Sequence, residues 1–285
     1  MFAKKTIRVV IYNENYKPMY SFNGLAIEVR INRATLPAGL SANINIYGIS
    51  KEKMSAITTV VWKTGIVAYR PIKVFANDGD GEHEIFVGQV MSAFPDYGKA
   101  PDICISITAC AGAYENLVTD VPPSSIVEGS QASVRQFFDE ICKSYKMTLV
   151  NNGVDENLKC SFPRSQGTGL LRRLVNASKA YNINVSVEGS NVYIWPKEEK
   201  AVVKKSEKVI TKSDYIGYPS FSTSGIDIKL DKALWSLKLG SCFTLKGSDI
   251  AAANDKWIVN KITYNISTKI GGRWEMGISA SRIGV

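Results

Sequence analysis

Ala42-Asn-Ile-Asn-Ile-Tyr-Gly-Ile-Ser50 is the stretch on which the fold class turns. Apolar and polar residues alternate from Ala42 to Tyr47, the period that lays one face of a strand on a core and leaves the other in water. Gly48 ends the run. Ser50 can then cap a helix reaching about Trp62, on which Met54, Ile57 and Val61 recur at helical spacing. A half-buried strand that passes at once into an amphipathic helix points to a β domain carrying a helix.

Moving outward, the same alternation recurs in both directions. Ile7, Val9 and Ile11 share a face, as do Leu25, Ile27, Val29 and Ile31, with Glu28 and Arg30 opposite. Downstream, Ile72–Phe75, Ile85–Phe94 and Asp102–Cys110 read as strands, the last with Ile103, Ile105, Ile107 and Ala109 on one side. These elements predict an antiparallel β-barrel domain with one short helix over residues 1–120. Thr119-Asp-Val-Pro-Pro-Ser-Ser125 breaks the pattern, because consecutive prolines remove ladder donors, and marks a domain boundary. Over residues 126–196 the spacing predicts a small α+β module. Val134, Phe137, Phe138, Ile141 and Tyr145 form one helical stripe behind a cap at Ser130, and Leu170, Leu171, Leu174, Val175 and Tyr181 form a second. Short strands are expected at 148–150 and 158–162, and Ile183–Val187 with Val192–Trp195 make a hairpin around Glu188-Gly-Ser-Asn191. Residues 197–212 read as a charged linker, and 213–285 as a second β domain closed by a hairpin at Gly271-Gly272.

Composition narrows the function. The chain has 285 residues, 45% hydrophobic and 21% charged, so a packed core forms and wholesale disorder is excluded. Lysine and arginine number 35 against 26 acids, a net +9 that permits an acidic partner without requiring one. Apolar runs stay short of the ~18 residues of a membrane-spanning helix. In Met1-Phe-Ala-Lys-Lys-Thr-Ile-Arg8 the arginine interrupts any secretory apolar segment, so synthesis in the cytoplasm is expected. Cys104, Cys110, Cys142, Cys160 and Cys242 are odd in number and lack CxxC spacing, which argues for packed, reduced thiols rather than disulfides or a zinc ribbon. The single histidine, His83, sits in Asn77-Asp-Gly-Asp-Gly-Glu-His-Glu84, read as a solvated hairpin tip. If Gly81 were the sixth position of a calcium loop, its first and twelfth would be Ala76 and Val87, which cannot ligate. Gly98-Lys99 lacks the glycine and hydroxyl of a phosphate loop. The expectation is therefore no enzyme, with no catalytic, cofactor-binding or metal residues and no cofactor.

A weak internal repeat adds to this. Val87, Val90 and Phe94 can be laid on Val259, Ile262 and Ile266, and Ile103, Ile105 and Ile107 on Trp274, Met276 and Ile278, with a slip in the turn. Tyr215-Ile-Gly-Tyr-Pro-Ser-Phe-Ser-Thr-Ser-Gly-Ile-Asp-Ile-Lys-Leu230, Leu237-Lys-Leu-Gly-Ser-Cys-Phe-Thr-Leu245 and Trp257-Ile-Val-Asn-Lys-Ile262 resemble the baseplate hub proteins of contractile-tailed bacteriophages and related injection systems. Ala42–Ser50 with its helix is similar to that family's first domain, whereas Lys232-Ala233 stands where the family usually has Asn-Pro. The resemblance implies an α+β, mainly β chain in which two tube-like β-barrel domains flank the small α+β domain. It implies a structural virion protein: a homotrimer whose six β domains make a ring adapting a six-fold tail tube to a three-fold central spike. Its partners would be the tail tube protein, the spike protein and other baseplate proteins, without a membrane and with nucleic acid only as passing DNA. Assembly would take place in the bacterial host cytoplasm. Some hubs of this family carry lytic domains, and no further domain of adequate length is expected here. The alternative from composition is a basic nucleic-acid-binding protein using lysines 197, 200, 204, 205, 208 and 212.

The domain reading predicts where a protease cuts. Limited proteolysis of the full chain is expected to cleave near 119–130 and 196–212, and preferred cleavage inside 131–146 would show the first boundary to be misplaced.

Overall fold

The computed structural model describes residues 5–63, 66–67, 70–98, 100–112, 131–161, 169–197, 208–222 and 225–283. In the N-terminal part the alternating segments become β1 (Thr6–Tyr12), β3 (Ile27–Ala34), β4 (Leu40–Tyr47), β7 (Pro71–Asn77), β8 (Glu82–Asp96) and β9 (Cys104–Cys110). Three short strands lie among them: β2 (Pro18–Phe22), β5 (Trp62–Lys63) and β6 (Ile66–Val67). Helix α1 (Lys51–Val61) starts at Ser50, whose hydroxyl accepts the Lys53 N–H at 3.3 Å. Met54, Ile57 and Val61 are buried on its inner face, and the helix packs on β8.

The middle of the chain forms β10 (Gln131–Ser133), α2 (Val134–Ser144), β11 (Thr148–Asn151), β12 (Lys159–Ser161), α3 (Leu170–Ala180), β13 (Ile183–Glu188) and β14 (Asn191–Pro196). The cap of α2 is Ser133 rather than Ser130. The Ser133 hydroxyl accepts the Gln136 N–H at 3.1 Å, and the Gln136 side chain accepts the Ser133 N–H at 3.0 Å, so two end donors are satisfied reciprocally. Residues 131–133 are already extended, paired with β12, which leaves no room for a helix start at 130. The stripe of α2 is buried as expected, and Phe137 meets Tyr181 edge-on at 5.5 Å. Both helices pack on a three-stranded sheet in the order β11-β14-β13, with β11 parallel to β14. The boundary read at Thr119–Ser125 lies outside the described residues.

The C-terminal part contains β15 (Lys208–Thr211), β16 (Ser220–Ser222), β17 (Gly225–Leu230), β18 (Cys242–Lys246), β19 (Lys256–Ser267) and β20 (Trp274–Arg282). The end of the charged segment is thus an edge strand, β15, and residues 198–207 lie outside the described residues. N- and C-terminal strands join in one thirteen-stranded sheet, β16-β17-β20-β19-β3-β4-β9-β8-β7-β1-β2, with β18 beside β19 and β15 beside β18.

Within that sheet one strand order occurs twice. The N-terminal part reads β3-β4-β9-β8-β7 and the C-terminal part β16-β17-β20-β19-β18, in each case a hairpin followed by a three-strand meander that returns beside the hairpin. The correspondence extends to single residues. Gln89 pairs with Pro71 on one side and Cys110 on the other, as Ile258 pairs with Cys242 and Ser281. Each long strand then carries one extra residue, Met91 after Val90 and Asn260 after Val259, at the same point of the ladder. The parts differ at one edge, where β1 runs antiparallel to β7 and β15 parallel to β18.

The bulge corrects the repeat as aligned from sequence. Ala93 faces Ile107 as Ile262 faces Ile278, so Ala93, not Val90, stands at the Ile262 position. One inserted residue reverses which side chains point inward. Ala93 is therefore buried, and Phe94, placed on the core face by simple alternation, is 50% exposed. Ala93→Asp should lower the denaturant midpoint by the several kcal/mol of an unpaired buried charge, and Ser92→Asp, one residue earlier, by less than about 1 kcal/mol. Equal costs at the two positions would refute the bulge.

Candidate functional site

With no cofactor or metal residues expected, the candidate site is the set of surfaces that join strands to strands. The first is the junction within the chain. Residues Glu28–Ala34 of β3 pair antiparallel with Lys261–Ser267 of β19, and Val29, Ile31, Ile262, Tyr264 and Ile266 are buried there. The segments match because both alternate in the same phase, so their apolar faces fall on one side. Thr268 fastens the end of the ladder: its hydroxyl accepts the Ile27 N–H and donates to the Leu25 carbonyl, each at 2.9 Å.

Side chains from all three parts of the chain converge beside this ladder. Trp235, in the loop after β17, lies between two rings: His83 at 5.4 Å and 17°, and Tyr264 at 5.7 Å and 22°. Its indole N–H donates to Asp78 Oδ2 at 3.2 Å. His83 is therefore no solvated tip: the turn carrying it is covered by a loop about half the length of the chain away in sequence, which composition could not reveal. Arg33, buried in β3, donates from Nη2 to the Ile85 carbonyl at 3.1 Å and holds Nε 3.5 Å from Glu188 Oε1 at the tip of the β13–β14 hairpin. That carbonyl is available because Ile85 is itself the extra residue of a bulge between β7 and β8. A second tie to the module is the Leu36 N–H, which donates to the Val185 carbonyl at 2.8 Å.

Arg33, His83, Glu188, Tyr193, Trp235 and Tyr264 line a cavity of about 470 Å³. His83 Nε2 and Arg33 Nε are buried there without a hydrogen-bond partner, as is the nearby Asp78 Oδ1, whose carboxylate takes the Trp235 N–H on its other oxygen. Burial raises the Tyr264 hydroxyl above its ordinary value, while the Arg33 charge opposes and the Glu188 charge reinforces the shift. Of its charged groups, Arg33 and Glu188 tie β3 to the β13–β14 hairpin, while Lys73 pairs with Glu84 within β7 and β8. Elsewhere, Cys142 is buried in α2, which pushes its thiol up to about 12, as expected of a packed, unreactive cysteine. Cys104, Cys110 and Cys242 are likewise thiols rather than disulfide sulfurs. Among the described residues no group of three or more His, Cys, Asp or Glu could hold a metal ion, and no helix is long and apolar enough to cross a membrane. Of the basic segment, Lys212 pairs with Asp249 at 2.6 Å, so its charge is already balanced.

The second surface is the set of open edges. β17 and β1, which contain the Ile226–Leu230 and Ile7–Ile11 segments, are each paired on both sides, so neither is an edge. The sheet order ends instead at β16 and β2. β8 has a further half-edge: on the side where Glu82–Gln89 pair with β7, the described residues offer Ser92–Asp96 no strand. Large apolar side chains lie exposed at both places: Phe94 and Tyr97 at the end of β8, and Ile216, Tyr218 and Phe221 in and before β16. Exposed aromatic rings gathered at the margins of a sheet mark a surface suited to a partner rather than to water.

A family model described as baseplate hub gp41 matches residues 6–270. The chain belongs to that baseplate hub family. No curated protein sequence matches this hub protein. Solved structures do. The 43 kDa tail protein of prophage MuSo2 from Shewanella oneidensis is 12% identical, with TM-score 0.61 over 98% of this chain and 97% of that one. The tail protein from Neisseria meningitidis MC58 is 8% identical, with TM-score 0.62 over 98% and 96%. The Escherichia coli c3393 protein, a component of the type VI secretion system, is 11% identical, with TM-score 0.61 over 91% and 74%. At these identities the likeness is one of fold. Together with the family it makes this hub a structural, non-enzymatic protein of the tail baseplate, and hence a virion component.

The junction predicts an alkaline weakness. Because burial holds Tyr264 protonated beyond the ordinary 10.0, its contribution to stability is complete below pH 10 and lost as pH rises toward its folded-state value. Tyr264→Phe should leave the neutral-pH denaturant midpoint within about 1 kcal/mol and flatten its decline above pH ~10. An unchanged alkaline decline would show that Tyr264 does not titrate at the junction.

Proposed function

We propose that this hub protein forms a homotrimeric ring of six β units that adapts a six-fold tail tube to a three-fold spike. The observation that carries the reading is the repeated strand order with its shared bulge. A chain holding two copies of one unit supplies six from three subunits, so one face of the ring can present near-six-fold symmetry while the sequence remains three-fold. The proposed units are residues 1–120 and 213–285, each tube-like, with 126–196 as a separate module decorating the outside and 197–212 as the linker. In the assembled ring the sheets of successive units would wall one channel through which DNA passes. The tail tube protein would stack on one face and the spike protein on the other, with further baseplate proteins around the module. Assembly would occur in the bacterial host cytoplasm.

The inequivalence of the units supports the change of symmetry. β1 and β15 attach in opposite senses, and α1 has no helical counterpart between β17 and β18. One set of surfaces can thus repeat every sixth of a turn and the other every third.

The test is the solution mass. Light scattering on purified full-length protein should give three chain masses, with purified tube protein added if the hub alone is below its association threshold. A two-chain species, or a single chain in both cases, would overturn the ring.

A further inference from the structure

We infer that the cavity beside the β3–β19 ladder binds a small oxyanion, a phosphate or a carboxylate, held by Arg33, His83 and Lys238. The inference is independent of the ring reading, since all three residues belong to one chain. It starts from two buried nitrogens. Arg33 is 8% exposed, and its Nε, which can only donate, has no hydrogen-bond partner among the described residues, although Glu188 Oε1 lies 3.5 Å away. His83 Nε2, at the start of β8, is buried at the same cavity and is equally without one. A buried donor left unmatched costs free energy, so two of them around one space call for an acceptor in that space.

The charges around the cavity give the acceptor its sign. Three cations line it, Arg33, Lys73 and Lys238, against two acids, Glu84 and Glu188. Lys73 and Glu84 neutralise each other at 2.8 Å, and the nearby Asp78 is engaged by the Trp235 N–H. Arg33 and Lys238 therefore face Glu188 alone, and among the described residues no carboxylate pairs with the Lys238 ammonium. That excess matches one further negative charge. The donors are held in place before any ligand arrives: Nη2 of Arg33 is fixed on the Ile85 carbonyl at 3.1 Å, and His83 is stacked on Trp235, three residues before Lys238 in the same loop. A guanidinium anchored at one end presents its remaining N–H to an oxyanion with little left to order. At about 470 Å³ the cavity falls in the range of small-molecule sites. On the scale of ~30 Å³ per water it is larger than a bare phosphate requires, so the anion can be carried on a small organic body lying against Tyr16 and Tyr193, which also line it. Trp235 offers no such face, because His83 and Tyr264 already cover it on both sides. A bound anion would satisfy both nitrogens and tie β3, the start of β8 and the loop after β17 together, so affinity and the stability of the junction are linked.

The single histidine makes the test direct. His83 is the only imidazole in the chain, so its ring-proton NMR signals need no assignment. Full-length protein is titrated with inorganic phosphate and, separately, with malonate, at fixed pH and ionic strength. The His83 signals should move and saturate with at least one probe, and the melting midpoint should rise by about 2 °C or more at saturation. The probe that binds better identifies the anion. Lys238→Ala, a change at an exposed position, should leave the protein folded and weaken the apparent affinity about tenfold. His83→Phe keeps a ring against Trp235 and removes the nitrogen, and should abolish the saturable rise in melting midpoint. Absence of saturable movement with both probes would overturn the proposal. Equal movement with an equal midpoint in Lys238→Ala would overturn it too, because the ring would then be sensing salt rather than a held anion. A melting rise that persists in His83→Phe would place the effect in general stabilisation by the salt and not in the cavity.

Discussion

Everything in this hub depends on one ladder, the seven-residue pairing of β3 with β19. It converts two sets of strands, separated in sequence by a whole α+β module, into a single sheet, and it fixes the phase in which their apolar faces meet. The stack of His83, Trp235 and Tyr264 and the Arg33–Glu188 ion pair gather at its flank. Their role follows from position. A ladder alone allows two sheets to pivot about the shared strand, and rings wedged beside it, with a charged tie to the module, remove that freedom. The unpartnered polar atoms in the adjoining cavity show that the arrangement accepts a polar cost at the place where three parts of the chain must be held together.

Local order was legible in the sequence wherever a strand or helix had one face in water. The Ile7–Ile11, Leu25–Ile31 and Ala42–Tyr47 runs lie in or beside strands, and the Val134–Tyr145 and Leu170–Tyr181 stripes are helical, because alternation and helical spacing are direct records of burial on one side. The family resemblance was legible for the same reason, as an order of such segments.

Four things were not legible, each for a physical reason. β2 and β16 are short and largely exposed, so they carry no alternation to detect. The extra residues Ile85 and Met91 change the phase of β8 midway, and a fixed period of two then assigns Phe94 to the wrong face. The β3–β19 pairing is invisible because nothing in a strand's own sequence names its partner. Several isoleucine- and valine-rich strands here offer equivalent apolar faces. The companion error at His83 has the same origin, since its covering ring comes from Trp235. The cap at Ser133 was missed by three residues because Ser130 offers the same chemistry, and only the pairing of 131–133 with β12 distinguishes them.

The pairing of an early strand with one of the last has a consequence for the order of events during synthesis. β3 is complete when little more than a tenth of the chain has been made, and its partner β19 ends at Ser267. At translation speeds of ~5–20 residues per second, β3 waits roughly ten seconds or more, its isoleucine-rich edge without the strand that will cover it. The nascent chain therefore passes through an interval in which a native edge is open to any extended segment nearby, including the same edge on another ribosome's product. Charged Glu28 and Arg30 on the opposite face of β3 are suited to that interval, since they keep the waiting strand soluble without entering the core it will later close.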